Sequence, residues 1–180
     1  MTKYIALLRG INVGGKRKVL MADLKVLFAR LGFSNITTYI QSGNVIFESQ
    51  KVEDNMLLGQ SIQNAILETY QFEVPVMIRS LNEWEQAISD NPFFKDKSIA
   101  IERLYLTLLD ERAGDEQIAS LKKMDFGSDQ FEIIGKHVFI CFAGKYSDSK
   151  LTNGLFEKKL KRKATTRNWK TVLKLSELSQ

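Results

Sequence analysis

The chain has 180 residues, 44% of them hydrophobic, with a formal net charge of +5, one cysteine and one histidine. That is enough apolar material for one domain or two small subdomains with a core of their own. The lone cysteine excludes an internal disulfide, and a single cysteine and a single histidine are too few for a soft-metal site, so no metal is expected.

No apolar run approaches the roughly 18 residues of a membrane span. The first residues lack the apolar core of a secretory leader and enter a strand pattern directly, so the cytoplasm is the expected compartment. The charge is uneven. Arg9, Lys16, Arg17 and Lys18 form a segment with no acid, and residues 150–175 hold nine bases and one acid, Glu157. The rest of the chain carries 13 bases against 20 acids. A mildly acidic body with two basic segments points to an anionic partner, or to ordinary solvated faces.

In chain order, residues 4–9 have strand character. Leu24, Leu27, Phe28 and Leu31 recur at helical spacing over 21–31, and Gly32 stops the helix. Two β-rich runs, 36–41 and 44–48, flank Ser42-Gly43 and predict a hairpin with a two-residue turn. A helix is expected over 54–70 and a strand over 74–79. The order β-α-β-β-α-β is ferredoxin-like. The second half predicts a short helix over 81–89, ended by Asn91-Pro92 because the residue before proline resists helical geometry. A strand over 104–109, a helix over 114–124, a hairpin of 131–134 with 137–142, and helices over 153–163 and 166–178 follow. The expectation is an α+β protein with a ferredoxin-like subdomain over 1–80 and a smaller β-α-β-β-α-α subdomain over 81–180.

The first glycine-rich loop invites a nucleotide reading. Gly10 to Gly15-Lys16 even satisfies the G-x-x-x-x-G-K spacing. Three features oppose a P-loop. Arg17 stands where Ser or Thr must hold magnesium. Val19-Leu20-Met21 delay the helix whose N-terminus would receive phosphate. The hairpin pattern predicts an antiparallel sheet. Leu106-Thr107-Leu108-Leu109-Asp110 resembles the companion magnesium strand, but without the first motif Asp110 reads as a turn residue. A simpler anion site remains, with backbone N–H groups of Gly14 and Gly15 and the charges of Arg9 and Lys16.

The ferredoxin-like order 4-1-3-2 sets the end of the first strand beside the 41–44 hairpin. The expected pairing, Gln41 with Asn44 and Tyr39 with Ile46, places Thr38, Ile40, Val45 and Phe47 on the core face. Asn12, Gln41, Ser42 and Asn44 then border the loop, and carboxamides can orient a polar ligand. At the other end of the chain, Thr165 or Thr166 suits a helix N-cap. Arg167 then falls in the first turn, where the helix dipole disfavours a cation. An anion held by the helix start, Thr166, Arg167 and Asn168 would relieve this; so would an acid elsewhere. Lys158, Lys159, Lys161, Arg162 and Lys163 flank Leu155, Phe156 and Leu160 as a basic amphipathic helix able to meet phosphates or solvent. Chemistry has little support. His137 shares a strand face with Phe139 and Cys141 and reads as structural, and Glu48 and Asp23 have no special context.

LRGINVGGK at 8–16, TYIQSGNVIF at 38–47, Asn91-Pro92-Phe93 and ATTRNWKTVLKL at 164–175 together resemble the signature blocks of the bacterial domain-of-unknown-function family 1697. The resemblance implies a cytosolic α+β protein and supplies no activity, cofactor or catalytic residue, so enzyme and binding protein both stay open. The leading expectation is a phosphate-bearing or otherwise anionic small ligand held by Arg9, Asn12, Gly14, Gly15, Lys16, Gln41, Ser42 and Asn44, joined by Thr166, Arg167 and Asn168. The alternatives are a nucleic-acid-binding module on the basic 150–174 face and a protein-interaction module. Oligomeric state is not readable.

Overall fold

The computed structural model describes residues 1–50 and 54–180. They form two four-stranded antiparallel sheets with interspersed helices, so the α+β expectation holds. Two compact units result: Met1–Glu85 together with Leu175–Gln180, and Gln86–Lys174.

In the first unit the order is β1 (Thr2–Leu8), α1 (Met21–Arg30), β2 (Ser34–Tyr39), β3 (Asn44–Ser49), α2 (Asn55–Tyr70) and β4 (Val76–Ser80). The sheet runs β2-β3-β1-β4, the ferredoxin-like arrangement. Alternation along the strands builds the core. Tyr4, Ala6 and Leu8 of β1 and Val45 and Phe47 of β3 pack with Leu24, Leu27 and Phe28 of α1 and Leu58, Ile62 and Ile66 of α2. Phe47 stacks on Tyr4 at 5.7 Å and meets Phe28 edge-on at 5.2 Å. Ile5 and Leu7, on the other face of β1, are equally buried. That is why β1 reads as an unbroken apolar run rather than an alternation. Asp54 starts α2 by accepting from the N–H groups of Met56 and Leu57, which no helical carbonyl can reach.

The second unit repeats the plan with β5 (Leu104–Leu109), α4 (Asp115–Lys122), β6 (Gln130–Ile134), β7 (His137–Cys141), α5 (Asn153–Leu160) and β8 (Ala164–Asn168). Its sheet runs β6-β7-β5-β8, the same permutation. The last strand departs from the sequence reading. Residues 164–168, of which 166–168 were expected to open a helix, pair with β5 from Leu109↔Ala164 to Tyr105↔Asn168. Two β-branched threonines fit a pleated surface. Thr107 donates to Thr166 (2.6 Å) and Thr166 to Asn153 (2.7 Å), which anchors the strand to α5. The second half is therefore also β-α-β-β-α-β.

Each fourth strand runs without a connecting loop into a helix: β4 into α3 (Leu81–Asp90) and β8 into α6 (Trp169–Leu178). The junctions match. Arg79 Nη1 donates to Ile78 O (2.7 Å), and Arg167 Nη1 donates to Thr166 O (2.9 Å). The next residue caps the helix in both cases. Ser80 Oγ accepts from Glu83 N (3.3 Å), and Asn168 Oδ1 accepts from Thr171 N (2.8 Å). In the first junction Glu83 reaches back to Ser80 N (2.8 Å) and closes a capping box.

The hairpin between β2 and β3 also differs from expectation. The strands stop at Tyr39↔Asn44, with Thr37 opposite Ile46, and a four-residue loop, 40–43, replaces the two-residue turn. Ile40 and Gly43 both take positive φ, 50° and 83°. Asn44 stabilises the wider loop by donating from Nδ2 to Tyr39 O (2.8 Å) and Ser42 Oγ (3.1 Å). Val45 and Phe47 face the core as expected; Ile40 does not, because it lies in the loop and is 49% exposed, and Thr38 is only half-buried.

Candidate functional site

The segment between β1 and α1 is a small β finger. Lys16 N donates to Val13 O (3.0 Å) and Asn12 N to Arg17 O (3.1 Å), which makes two rungs closed by Gly14-Gly15. Both glycines have positive φ, 58° and 74°. That is the I′ pattern of a two-residue hairpin turn, and it needs glycine because a Cβ is disfavoured there. The segment is thus neither a P-loop nor a helix N-terminus. The N–H groups of Gly14 and Gly15 have no hydrogen-bond partner among the described residues, and a Cβ built on either glycine would meet nothing within 4 Å. The tip stands open to solvent.

Asn12 ties the finger down. It adopts positive φ (56°), and its side chain is fully engaged. Nδ2 donates to Val19 O (2.9 Å) and Gln41 O (2.9 Å), and Oδ1 accepts from Val19 N (2.9 Å). One carboxamide therefore closes the finger's base and fastens it to the 40–43 loop. Gly43 completes the junction. Its O accepts from Leu8 N (2.8 Å), and a Cβ there would lie 2.8 Å from both Leu8 Cβ and Ile11 Cδ1. Asn44 is fully buried.

The expected residues therefore divide by role. Asn12, Ser42 and Asn44 spend their polar atoms on the scaffold. Gln41 lends the scaffold its backbone carbonyl and keeps an exposed side chain. Gly14, Gly15 and Lys16 lie at the exposed tip, followed by exposed Arg17 and Lys18. Arg9 is half-buried, and its N–H donates to Pro75 O (2.9 Å). Apolar side chains accompany the cations: Val13 is 65% exposed, Leu20 67% and Ile40 49%. An exposed finger with cations, open N–H groups and an apolar skirt can receive an anionic group with an apolar body beside it.

Thr166, Arg167 and Asn168 belong to the second unit, on β8 and at the cap of α6. Arg167 is a strand residue, so the expected conflict with a helix dipole does not arise. Its guanidinium also donates to Thr165 Oγ1 (3.0 Å). Loss of solvent lowers its pKa to about 10, which leaves it a cation at neutral pH. Within the basic 150–174 segment, Lys170 pairs with Glu102 (2.7 Å) and Arg162 with Glu111 (3.6 Å). Lys158, Lys159, Lys161 and Lys163 form no salt bridge among the described residues; the first two lie in the last turn of α5, where the helix dipole favours cations.

Two features escaped the sequence reading. One is Arg79, 2% exposed, the counterpart of Arg167. Its signal was present: in both halves an arginine precedes a capping residue at a strand-to-helix junction. The other is an open groove of about 440 Å³ in the second unit, lined in part by Phe93, Phe126, Phe131, Asp125 and Glu132. Its residues come from three separate loops and strands, so no linear motif marks it. Among the described residues no cluster of His, Cys, Asp and Glu is placed to hold a metal ion, and no helix is long and apolar enough to cross a membrane.

Comparison with known proteins agrees with this architecture. The structure of a conserved bacterial protein, SP0830 from Streptococcus pneumoniae, is similar with a TM-score of 0.75 and 25% identity, over 99% of both chains. No curated protein matches the chain. A family model described as a protein of unknown function, DUF1697, matches residues 1–139, which include the finger, the 40–43 hairpin and the Asn-Pro-Phe block but not 164–175. The match spans well over half of the sequence, and the chain belongs to the DUF1697 family.

Proposed function

We propose that the protein binds a phosphate-bearing small ligand at the finger formed by residues 9–18. The observation that carries this reading is the open tip: two glycine N–H groups without partners among the described residues, beside Lys16, Arg17 and Lys18, on a base tied down by Asn12. Backbone N–H groups and flexible cations together suit phosphate oxygens, which accept several hydrogen bonds at once. The exposed Val13, Leu20 and Ile40 favour a ligand with an apolar part, such as a nucleobase or a coenzyme tail. Gln41 is the nearest uncommitted carboxamide and orients the ligand, whereas Asn12 and Asn44 position the loop. The reading uses the first unit alone and assigns no reaction. The single buried thiol suits a reducing compartment, and we place the protein in the cytoplasm on that ground.

A thermal melt at fixed moderate salt, against mononucleotides, sugar phosphates, coenzymes and short oligonucleotides, tests it. A ligand at about 100 times its dissociation constant stabilises by roughly 2.7 kcal/mol. A shift with one class of small phosphate compound, lost in the Lys16→Glu/Lys18→Glu variant, is expected. A shift with no member of the panel contradicts the reading. A second reading, nucleic acid on the 158–163 lysines, is favoured by Lys158, Lys159, Lys161 and Lys163 forming no salt bridge among the described residues, the first two in the last turn of α5. It expects stabilisation by oligonucleotides only, with a steep loss on added salt.

A further inference from the structure

We infer that the groove beside β6 is a docking site for an extended basic peptide, which adds to the second sheet as a fifth strand. β6 is an outer strand: it pairs with β7 from Gln130↔Cys141 to Ile134↔His137 and, among the described residues, with no other strand. Its far edge therefore offers backbone donors and acceptors to an incoming chain, the geometry of recognition by strand addition. Along β6, exposed and half-buried residues alternate, with Gln130, Glu132 and Ile134 outward and Phe131 and Ile133 inward. An added strand would have the same alternation.

The lining combines aromatic and acidic side chains, and this defines the partner. Part of the lining is aromatic. Phe131 meets Phe126 edge-on at 5.6 Å, and Phe93 completes the lining. The same lining carries the carboxylates of Asp125 and Glu132. Asp129 holds the entry loop rigid by accepting from Ala143 N (2.7 Å) and Ser149 Oγ (2.6 Å). The groove contains three acids against one base, Lys122, so its charge complements a cationic segment. A peptide that alternates apolar residues with lysine or arginine fits this lining: apolar side chains on the phenylalanines, cations toward Glu132. Lys122 now occupies Glu132 at 3.1 Å, both side chains about half exposed, and acts as an internal competitor for the same carboxylate.

The test is an amide NMR titration of the whole protein with a capped valine–lysine alternating pentapeptide. Saturable shifts confined to residues 93 and 122–134 are expected. Glu132→Lys should weaken binding at least tenfold, and Lys122→Gln should tighten it several-fold, an effect that a purely structural lysine would not produce. The same peptide N-methylated at alternate bonds should lose binding, because it cannot donate to β6. The valine–glutamate counterpart should not bind. The inference is overturned by absence of saturable shifts, by shifts centred on the β2 edge, by equal binding of the N-methylated peptide, or by Glu132→Lys binding as tightly as the wild type.

Discussion

Asn12 sets the geometry of the finger's base through its side-chain hydrogen bonds. Asn12→Ala removes three side-chain hydrogen bonds and leaves Val19 and Gln41 backbone groups without them. A loss of about 2–3 kcal/mol in denaturant unfolding is expected. Gly43→Ala faces both a positive φ and two contacts at 2.8 Å, so a loss of roughly 3 kcal/mol is expected by the same measurement, against a smaller loss of about 1 kcal/mol for Ala at exposed Gly127, whose φ is positive but whose Cβ meets nothing. Cys141 is 2% exposed, and burial raises its thiol pKa, with Asp129 and Asp96 adding to the rise against the opposing charge of Arg103. A thiol reagent should leave it unmodified in the folded protein and label it fully in denaturant. At this scale the sequence was informative about which loop and hairpin matter, and less so about roles. Asn12 and Asn44 looked like ligand residues because a carboxamide next to glycines looks the same whether it serves a ligand or the chain's own carbonyls.

At the scale of elements, the two strand-to-helix junctions are the recurring device. Burial raises the Glu83 carboxyl pKa, but the Ser80 N–H, the Asn55 amide, the Arg79 charge and the Ser80 hydroxyl outweigh it and hold the pKa below the usual carboxylate range. A carboxyl whose folded pKa lies below its unfolded value contributes stability that is fully present above the unfolded value. That contribution is lost as pH falls through the folded value. Wild type should therefore exceed Glu83→Gln in stability by about 1 kcal/mol at neutral pH, with the gap closing as acid is added, read from melts over pH 2 to 7. The ferredoxin-like first half was legible because Leu24, Leu27, Phe28 and the 54–70 periodicity left little choice of period. The eighth strand was not. Thr165-Thr166-Arg167-Asn168 lies directly against Trp169, Val172 and Leu173, so one helical stripe seemed to begin at the threonines. Pairing with β5 decides the matter, and that partner lies some sixty residues earlier. The β2–β3 loop was misread for a similar reason, since Ser-Gly suggests a two-residue turn until Ile40 is seen at positive φ.

At the scale of the molecule, two copies of one topology carry different surfaces. The first unit presents a basic finger, and the second an edge groove bordered by acids. Fold alone assigns neither a task, because the ferredoxin-like arrangement hosts many unrelated functions. The groove was illegible in the sequence because Phe93, Phe126 and Glu132 come together only through the fold. The basic finger was legible as charge, but its I′ turn and open N–H groups needed coordinates. The most direct test of the anion-binding account is an amide NMR titration of the protein with inorganic pyrophosphate at fixed ionic strength. The account expects saturable shifts centred on Gly14, Gly15 and Lys16, abolished in Lys16→Glu/Arg17→Glu/Lys18→Glu while the remaining spectrum is unchanged. Shifts absent from residues 12–18, or centred on 158–163, would contradict it.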